Sequence, residues 1–266
     1  MGQMLRLAVF VAIAGCMHEP MPPPRCPAEL TLTVQSKTLG EKRVINVYLP
    51  PDYAKGSARY PVLYMLDGGL GEDFPHVAGS VDVSIKNAVI RPVIVVGIEN
   101  TERRRDLIGP TTVADEQRAA PHAGGTARFR TFLRDEVKPL IAARYRVTNE
   151  SALIGESLAG LFVVETFLVE PTLFDGYIAA DPSVWWNEQA VIHDVNARLA
   201  AWSAGAKALY IATSEEQEGI TALLAALRIV APAGVTWTYE PMPSEHHNTI
   251  FPIAALRGIR TLFAVE

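Results

Sequence analysis

The fold of this chain is decided by one stretch, Ala152-Leu-Ile-Gly-Glu-Ser-Leu-Ala-Gly-Leu-Phe162. Its apolar start predicts a short buried strand, and its apolar end predicts the beginning of a helix. Ser157 lies between the two, with the small residues Gly155 and Ala159 on either side. This arrangement is typical of a nucleophile elbow, a sharp strand-to-helix turn that exposes a serine hydroxyl at the edge of a sheet. An ordinary turn with a helix-capping serine is the alternative that the motif alone leaves open.

Strand and helix patterns alternate on both sides of this stretch. Residues 30–36 and 43–49 predict an antiparallel hairpin. Later strands are predicted at 61–66, 93–98, 177–180, 208–213 and 235–239, helices at 73–87, 126–144, 188–202, 219–230 and 253–264, and a polar loop at 99–125. The alternation predicts an α/β fold with a mostly parallel central sheet, an antiparallel N-terminal hairpin and helices on both faces. Functional side chains are then expected beyond the carboxyl ends of the strands.

A histidine is the expected partner of Ser157, because a serine hydroxyl is a weak nucleophile until a base takes its proton. His246 and His247 both follow the last predicted strand. That position agrees with the order of serine, acid and histidine along the chain in enzymes with a nucleophile elbow. Their position alone does not decide between the two.

An acid is expected to orient the histidine, and the predicted acid is Glu216, in the loop after residues 208–213. Glu215 and Asp181 are the alternatives, and so is a Ser–His pair without an acid. An ester-cleaving site also needs backbone N–H groups that bind the oxyanion. Leu158, which follows the serine, and Gly69, in the turn after residues 61–66, are predicted to supply them.

Three segments carry a resemblance to a known family. They are Gly155-Glu-Ser-Leu-Ala-Gly-Leu-Phe162, Phe174-Asp-Gly-Tyr-Ile178 and Asp181-Pro-Ser-Val-Trp-Trp186. Together they resemble the family of α/β-hydrolases that includes esterase D and the enterobactin-type siderophore esterases, and the resemblance covers most of the chain from about residue 30. It implies an α/β-hydrolase fold and hydrolysis of carboxylic esters through an acyl-enzyme on Ser157, with siderophore-type or aryl esters as substrates.

The resemblance also bears on single residues. In the family the histidine follows an asparagine, so Glu245-His-His-Asn-Thr249 implies that His247 is the base and that His246 stands for the asparagine. Two departures from the family are Ala159, in place of a glycine, and Asp181, where a serine is common. Trp186 and Arg105 are predicted to bind substrate, each with its neighbours in Trp185-Trp186 and Arg103-Arg-Arg105.

Two other functions stay open. One is acyl transfer by an enzyme of the same fold. The other is a catalytically silent lipoprotein whose esterase-like domain only binds a ligand. No cofactor is implied, and no metal site is predicted, because adjacent histidines diverge and no spaced ligand set accompanies them.

The N-terminal residues predict export. Residues 1–15 have the charged start, short apolar core and small residues of a signal peptide. Ile13-Ala-Gly-Cys16 resembles the lipobox of bacterial lipoproteins, which implies lipidation of Cys16 and a membrane-anchored lipoprotein of the cell envelope; a periplasmic or secreted protein is the alternative. Residues 16–28 are then a proline-rich tether, and residues 29–266 are the esterase domain.

Composition sets further limits. With 266 residues, 49% of them hydrophobic, the chain is long and apolar enough for one domain with a sizeable core. The net charge of -5 and the lack of a long basic run argue against a nucleic-acid partner. No apolar run reaches the ~18 to 20 residues that span a bilayer. A small-molecule ester remains as the expected partner.

Overall fold

The structure is a computed structural model that describes residues 30–230 and 232–265. The predicted signal peptide, the predicted lipidation site at Cys16 and the predicted tether therefore lie outside the described residues. The strands of the central sheet are β1 (Leu30–Gln35), β2 (Lys42–Tyr48), β3 (Tyr60–Met65), β4 (Ile94–Ile98), β5 (Val147–Glu156), β6 (Gly176–Ala180), β7 (Lys207–Thr213) and β8 (Val235–Pro241).

The sheet is mostly parallel, as the sequence predicts. Its strand order is β1-β2-β4-β3-β5-β6-β7-β8, in which β2 runs against both of its neighbours and β3 to β8 run parallel. The inner strands β3, β4 and β6 are buried along their whole length because helices cover both faces of the sheet. At the edge, β1 alternates between exposed and half-buried residues.

The helices form two layers. They are α1 (Phe74–Lys86), α2 (Arg103–Leu107), α3 (Ala114–Ala119), α4 (Thr126–Phe132), α5 (Lys138–Arg144), α6 (Leu158–Val169), α7 (Trp186–His193), α8 (Val195–Ala200), α9 (Glu218–Val230) and α10 (Ile250–Leu262). Helices α1 and α10 pack against one face of the sheet. Helices α4, α5, α6, α8 and α9 pack against the other, so that the fold is an α/β-hydrolase sandwich.

Three predicted segments differ from the structure. The predicted loop 99–125 contains α2 and α3, which have five and six residues and are too short to give a clear helical period. The predicted helix 126–144 is interrupted by a π-helical turn, Leu133–Val137. The predicted helix 188–202 is two helices, and the first contains three consecutive residues with positive φ, Asn187, Glu188 and Gln189.

Candidate active site

Ser157 occupies the turn between β5 and α6, with φ of 59° and ψ of -119°. A positive φ is uncommon for a residue with a side chain and persists only where the surroundings hold it. The turn has no room for a side chain at either glycine of the motif. A Cβ on Gly155 would lie 2.7 Å from Ala159, and a Cβ on Gly160 would lie 2.9 Å from the Ala180 carbonyl oxygen. Ala159 is fully buried, so a methyl group is accommodated at the position of the second glycine.

The imidazole of His247 lies against the serine hydroxyl. Its Nε2 is 3.1 Å from Ser157 Oγ, and its Nδ1 is 2.7 Å from Asp181 Oδ2. An ionised carboxylate only accepts hydrogen bonds, so the proton of the neutral imidazole is on Nδ1 and Nε2 is free to accept from the serine. The neighbouring His246 is exposed and donates its backbone N–H to Thr249 Oγ1. The structure therefore brings His247 to the serine.

Asp181 is the acid that contacts the histidine. It follows β6 directly, has a φ of 41° and is only 3% exposed. Its carboxylate accepts hydrogen bonds from Ser214 N at 3.1 Å, Ser214 Oγ at 2.8 Å and Gln217 Nε2 at 3.2 Å. These donors hold the carboxylate in the orientation in which it faces the imidazole of His247.

The structure does not bring the predicted acid, Glu216, to His247, whose Nδ1 contacts Asp181 instead. Glu216 and Glu215 are both exposed in the loop after β7. Since β6 lies next to β5 and β7 is one strand further away, the residue after β6 is nearer to Ser157 by about one strand spacing, ~4.8 Å. The loop after β7 supplies instead the hydrogen-bond donors that hold Asp181.

Ser183 is a site residue that the sequence analysis missed. Its Oγ is 3.3 Å from Ser157 Oγ, its backbone N–H donates to the Ser157 carbonyl at 3.0 Å, and it is 3% exposed. Because the Ser157 hydroxyl is directed to His247, the Ser183 hydroxyl is the donor of this pair. Its position two residues after Asp181, within the tryptophan-containing motif, is the only signal in the sequence.

The two predicted oxyanion donors differ in availability. Leu158 is the first residue of α6, where a backbone N–H has no acceptor within the helix. The N–H of Gly69 is engaged, because it donates to Glu72 Oε2 at 2.7 Å. Glu72 is held in turn by Asn100 Nδ2 at 2.9 Å from its other oxygen. Gly69 is thus not a free donor in this structure.

Acidic groups collect beside the nucleophile. Burial raises the pKa of Glu156, the residue before the serine, to about 7; Asp73 and Asp67 also raise the pKa, whereas His247 and Arg103 lower it. The Arg103 guanidinium binds Asp67 through Nε at 2.7 Å and through its second nitrogen at 2.8 Å. Glu156 therefore changes charge near neutral pH, next to the reacting groups.

A cavity of 690 Å³ opens above the serine. Trp186 lies in its wall, 7% exposed, with its indole N–H donated to the Gly109 carbonyl at 3.0 Å. Trp185 also lies in the wall but is 55% exposed. The structure thus places Trp186, a predicted substrate-binding residue, in the wall of the cavity that contains Ser157. An apolar wall and the reacting groups therefore belong to one cavity.

The prediction that Arg105 binds substrate is not supported by its position. Its guanidinium is held by Glu41, at 2.6 Å, and by Asp106, at 2.7 Å, and it lies outside the cavity. Arg103 and Arg104 line the cavity instead. Consecutive residues of α2 point in different directions, which a run of three arginines does not reveal in sequence.

Among residues 30–230 and 232–265, no group of three or more histidine, cysteine, aspartate or glutamate side chains could hold a metal ion. Within the same residues, no helix has the length and apolar character needed to cross a membrane.

Comparison with known proteins identifies the family. Residues 36–226 match the family model described as "Putative esterase". The ferri-bacillibactin esterase BesA of Bacillus subtilis is 25% identical over 83% of this chain and 85% of its own length. The siderophore triacetylfusarinine C esterase of Aspergillus fumigatus is 29% identical over 59% of this chain and 57% of its own length.

A solved structure agrees with this result. The IroE-like serine hydrolase of Shewanella oneidensis superposes with a TM-score of 0.82 at 28% identity, over 90% of this chain and 82% of that one. The chain therefore belongs to this esterase family and is a carboxylic ester hydrolase with an α/β-hydrolase fold.

Proposed function

We propose that this protein is an exported serine esterase that hydrolyses siderophore esters through an acyl-enzyme on Ser157. The observation that carries the proposal is the continuous line of hydrogen bonds from Ser157 Oγ through His247 to Asp181. Each atom in this line has the neighbour that its role requires, and the two distances are within the range for hydrogen bonds.

The reaction follows from these contacts. The Ser157 hydroxyl attacks the ester carbonyl while His247 Nε2 takes its proton. The imidazolium then gives that proton to the leaving alcohol, and Asp181 stabilises the positive charge without taking a proton itself. In the second half, water attacks the acyl-enzyme while His247 takes its proton, and the imidazolium then returns that proton to Ser157 Oγ as the carboxylic acid leaves.

The oxyanion of each tetrahedral intermediate needs donors that are already in place. In this proposal the N–H of Leu158 is one donor, supported by its position at the start of α6. Gly69 is the second donor, and it becomes available when the Glu72 carboxylate moves away from its N–H.

The substrate class comes from the relatives. BesA is named for ferri-bacillibactin and the Aspergillus enzyme for triacetylfusarinine C, and both names describe siderophore esters. The cavity is compatible with such a substrate, because Trp185 offers an aromatic face and the exposed Arg104 offers a planar guanidinium group. We therefore propose a siderophore ester as the natural substrate.

The test is a hydrolysis screen of p-nitrophenyl, feruloyl and siderophore esters with the wild type and Ser157→Ala. We expect the wild type to hydrolyse them, siderophore esters best, and Ser157→Ala to lose activity by about 10⁴-fold or more. A fluorophosphonate probe should label the wild type and not the variant.

Other outcomes separate the alternatives. An unlabelled wild type that binds siderophores without cleaving them would identify a silent binding protein. Appearance of the acyl group on an added alcohol in preference to water would identify an acyltransferase.

Export and anchoring are the second part of the proposal and are supported by the sequence of residues 1–16. More than one acyl chain on a lipidated cysteine would anchor the protein stably, where a single chain would not. The wild type should incorporate labelled palmitate and partition into detergent, and Cys16→Ser should do neither. Equal labelling of both proteins would rule out Cys16 as the lipidation site.

A further inference from the structure

A second cavity lies behind Trp186. It has a volume of 260 Å³ and shares Trp186 with the 690 Å³ cavity above Ser157. Much of its lining is apolar and includes Leu161, Val169 and Val191. The charge of Glu165 in its wall is compensated by Arg130, at 2.8 Å.

Trp186 is fixed as a partition between the two cavities. Its indole N–H is bound to the Gly109 carbonyl at 3.0 Å, and the side chain is 7% exposed. The backbone that follows is held as well, since the N–H of Asn187 donates to the Glu116 carboxylate at 3.0 Å. A side chain fixed at both its ring and its backbone can limit the length of a bound group.

The position of this partition indicates which part of an ester it meets. The second cavity runs along α6, the helix that follows the nucleophile, because Leu161, Glu165 and Val169 line it from successive turns. The mouth is marked by the exposed Trp185 and Glu215. His247, which protonates the leaving alcohol, is also exposed at this mouth, so the alcohol leaves on that side and the acyl group on Ser157 faces the buried wall that contains Trp186.

We propose that Trp186 sets the length of acyl group that the site accepts, and that the cavity behind it takes a longer apolar acyl chain once the indole is removed. This inference rests on the proposed ester hydrolysis at Ser157. It makes Trp186 a specificity-determining residue and leaves Trp185 outside that role.

The experiment compares p-nitrophenyl esters with acyl chains from acetate to decanoate, so that the leaving group stays constant. In the wild type, kcat/KM should fall beyond short chains. In Trp186→Ala, the ratio of kcat/KM for octanoate over butyrate should rise by about tenfold or more. Trp185→Ala is the matched control, because it also loses an indole from the first cavity and should leave this ratio unchanged.

A second change tests the route of the chain. Ala190 is exposed and lines only the second of the two cavities. Ala190→Phe in the Trp186→Ala background should fill that cavity and return the ratio towards the wild-type value. If Trp186→Ala does not fold, Trp186→Leu takes its place in the same comparison.

An unchanged ratio in a folded Trp186 variant would overturn the inference, and so would an equal rise in Trp185→Ala. Neither result would affect the proposed function. That function fails separately, if the wild type cleaves no ester of the series.

Discussion

At the scale of single residues, Asp181 connects two parts of the site. Its carboxylate faces His247 on one side and accepts three hydrogen bonds from the loop after β7 on the other. Ser183, two residues later, contacts the nucleophile itself. One short turn after β6 therefore supplies both the acid and a donor to the serine oxygen.

The first prediction concerns this acid. Asp181→Asn keeps the shape but presents an amide to Nδ1, which favours the wrong tautomer of His247, so kcat should fall by about 10³- to 10⁴-fold. Steady-state kinetics on p-nitrophenyl butyrate would measure it. Glu216→Gln makes the same chemical change at an exposed position and should stay within about twofold of the wild type. A larger loss in Glu216→Gln than in Asp181→Asn would restore Glu216 as the acid.

The second prediction concerns Glu156. Burial raises its pKa from 4.5 to about 7, so between these values the folded protein holds a proton that the unfolded chain has released. Wild-type stability therefore decreases as the pH rises through this window. Glu156→Gln does not titrate, and its Tm relative to that of the wild type should increase from about pH 5 to about pH 8. A constant difference in Tm across this range would contradict the raised pKa.

The serine and the histidine could be predicted because their signals are local. Ser157 has small neighbours between a strand and a helix, and His247 follows the last strand of the sheet. The acid could not, because choosing between the ends of β6 and β7 requires the order of strands in space. The place of Arg105 outside the cavity could not be predicted for a similar reason, since its guanidinium binds Glu41, a contact between residues 64 positions apart.

At the scale of elements, the loop between β3 and α1 decides whether the second oxyanion donor is free. Gly68 within it packs so closely that a Cβ would lie 2.4 Å from the backbone of Gly97. The loop is therefore fixed in place, and the side chain of Glu72 is the part that can move away from the N–H of Gly69. A carboxylate at this position opposes the oxyanion by charge and by occupying its donor.

The third prediction follows from that contact. Glu72→Ala should free the N–H of Gly69 and raise kcat by about fivefold, which corresponds to one hydrogen bond of about 1 kcal/mol. The measurement is kcat on p-nitrophenyl acetate with KM determined separately. Glu99→Ala is a suitable control, because the Glu99 side chain also lies close to Gly69, but its contact there is through an aliphatic carbon. A decrease in kcat in Glu72→Ala would indicate that Glu72 supports the loop.

The long elements were predictable and their interruptions were not. Alternating apolar segments predict the eight strands of the described sheet in their correct sequence order. The positive φ angles of Asn187, Glu188 and Gln189 could not be predicted from the sequence, because residues of these types usually have a negative φ. They are held by contacts with distant residues, among them the bond from the N–H of Thr112 to Asn187 Oδ1 at 3.0 Å.

At the scale of the whole molecule, a buried ion pair connects the hairpin to the active-site side of the sheet. Arg43 of β2 is fully buried at its side chain, and its partner Asp106 of α2 is 2% exposed. The guanidinium also lies over the rings of Phe129, at 5.3 Å, and Phe132, at 5.6 Å. The Arg43 guanidinium therefore contacts both α2 and α4 and connects them to the β1–β2 hairpin.

The fourth prediction tests this pair. Asp106→Ala removes the buried carboxylate and leaves the Arg43 guanidinium with Glu41, at 3.1 Å, as its remaining carboxylate partner, and it should lower the free energy of unfolding by about 3 kcal/mol. Asp52→Ala breaks an exposed pair with Lys55 and should cost less than about 1 kcal/mol. Urea denaturation of both variants gives the comparison. Similar midpoints for the two would mean that the buried pair contributes no more than a surface one.

The place and direction of β1 in the sheet determine how the molecule is oriented when its N-terminal end is attached to a surface. β1 runs in the same direction as β3 to β8, because β2 is antiparallel to both β1 and β4. Leu30 begins the edge strand in register with Leu153 of β5, and four strand spacings, ~19 Å, separate the two strands. A support joined ahead of Leu30, whether a bead or a bilayer, therefore attaches at the edge of the sheet and away from the strand that ends at Ser157, so immobilisation through this end should not hinder the approach of a bulky ester.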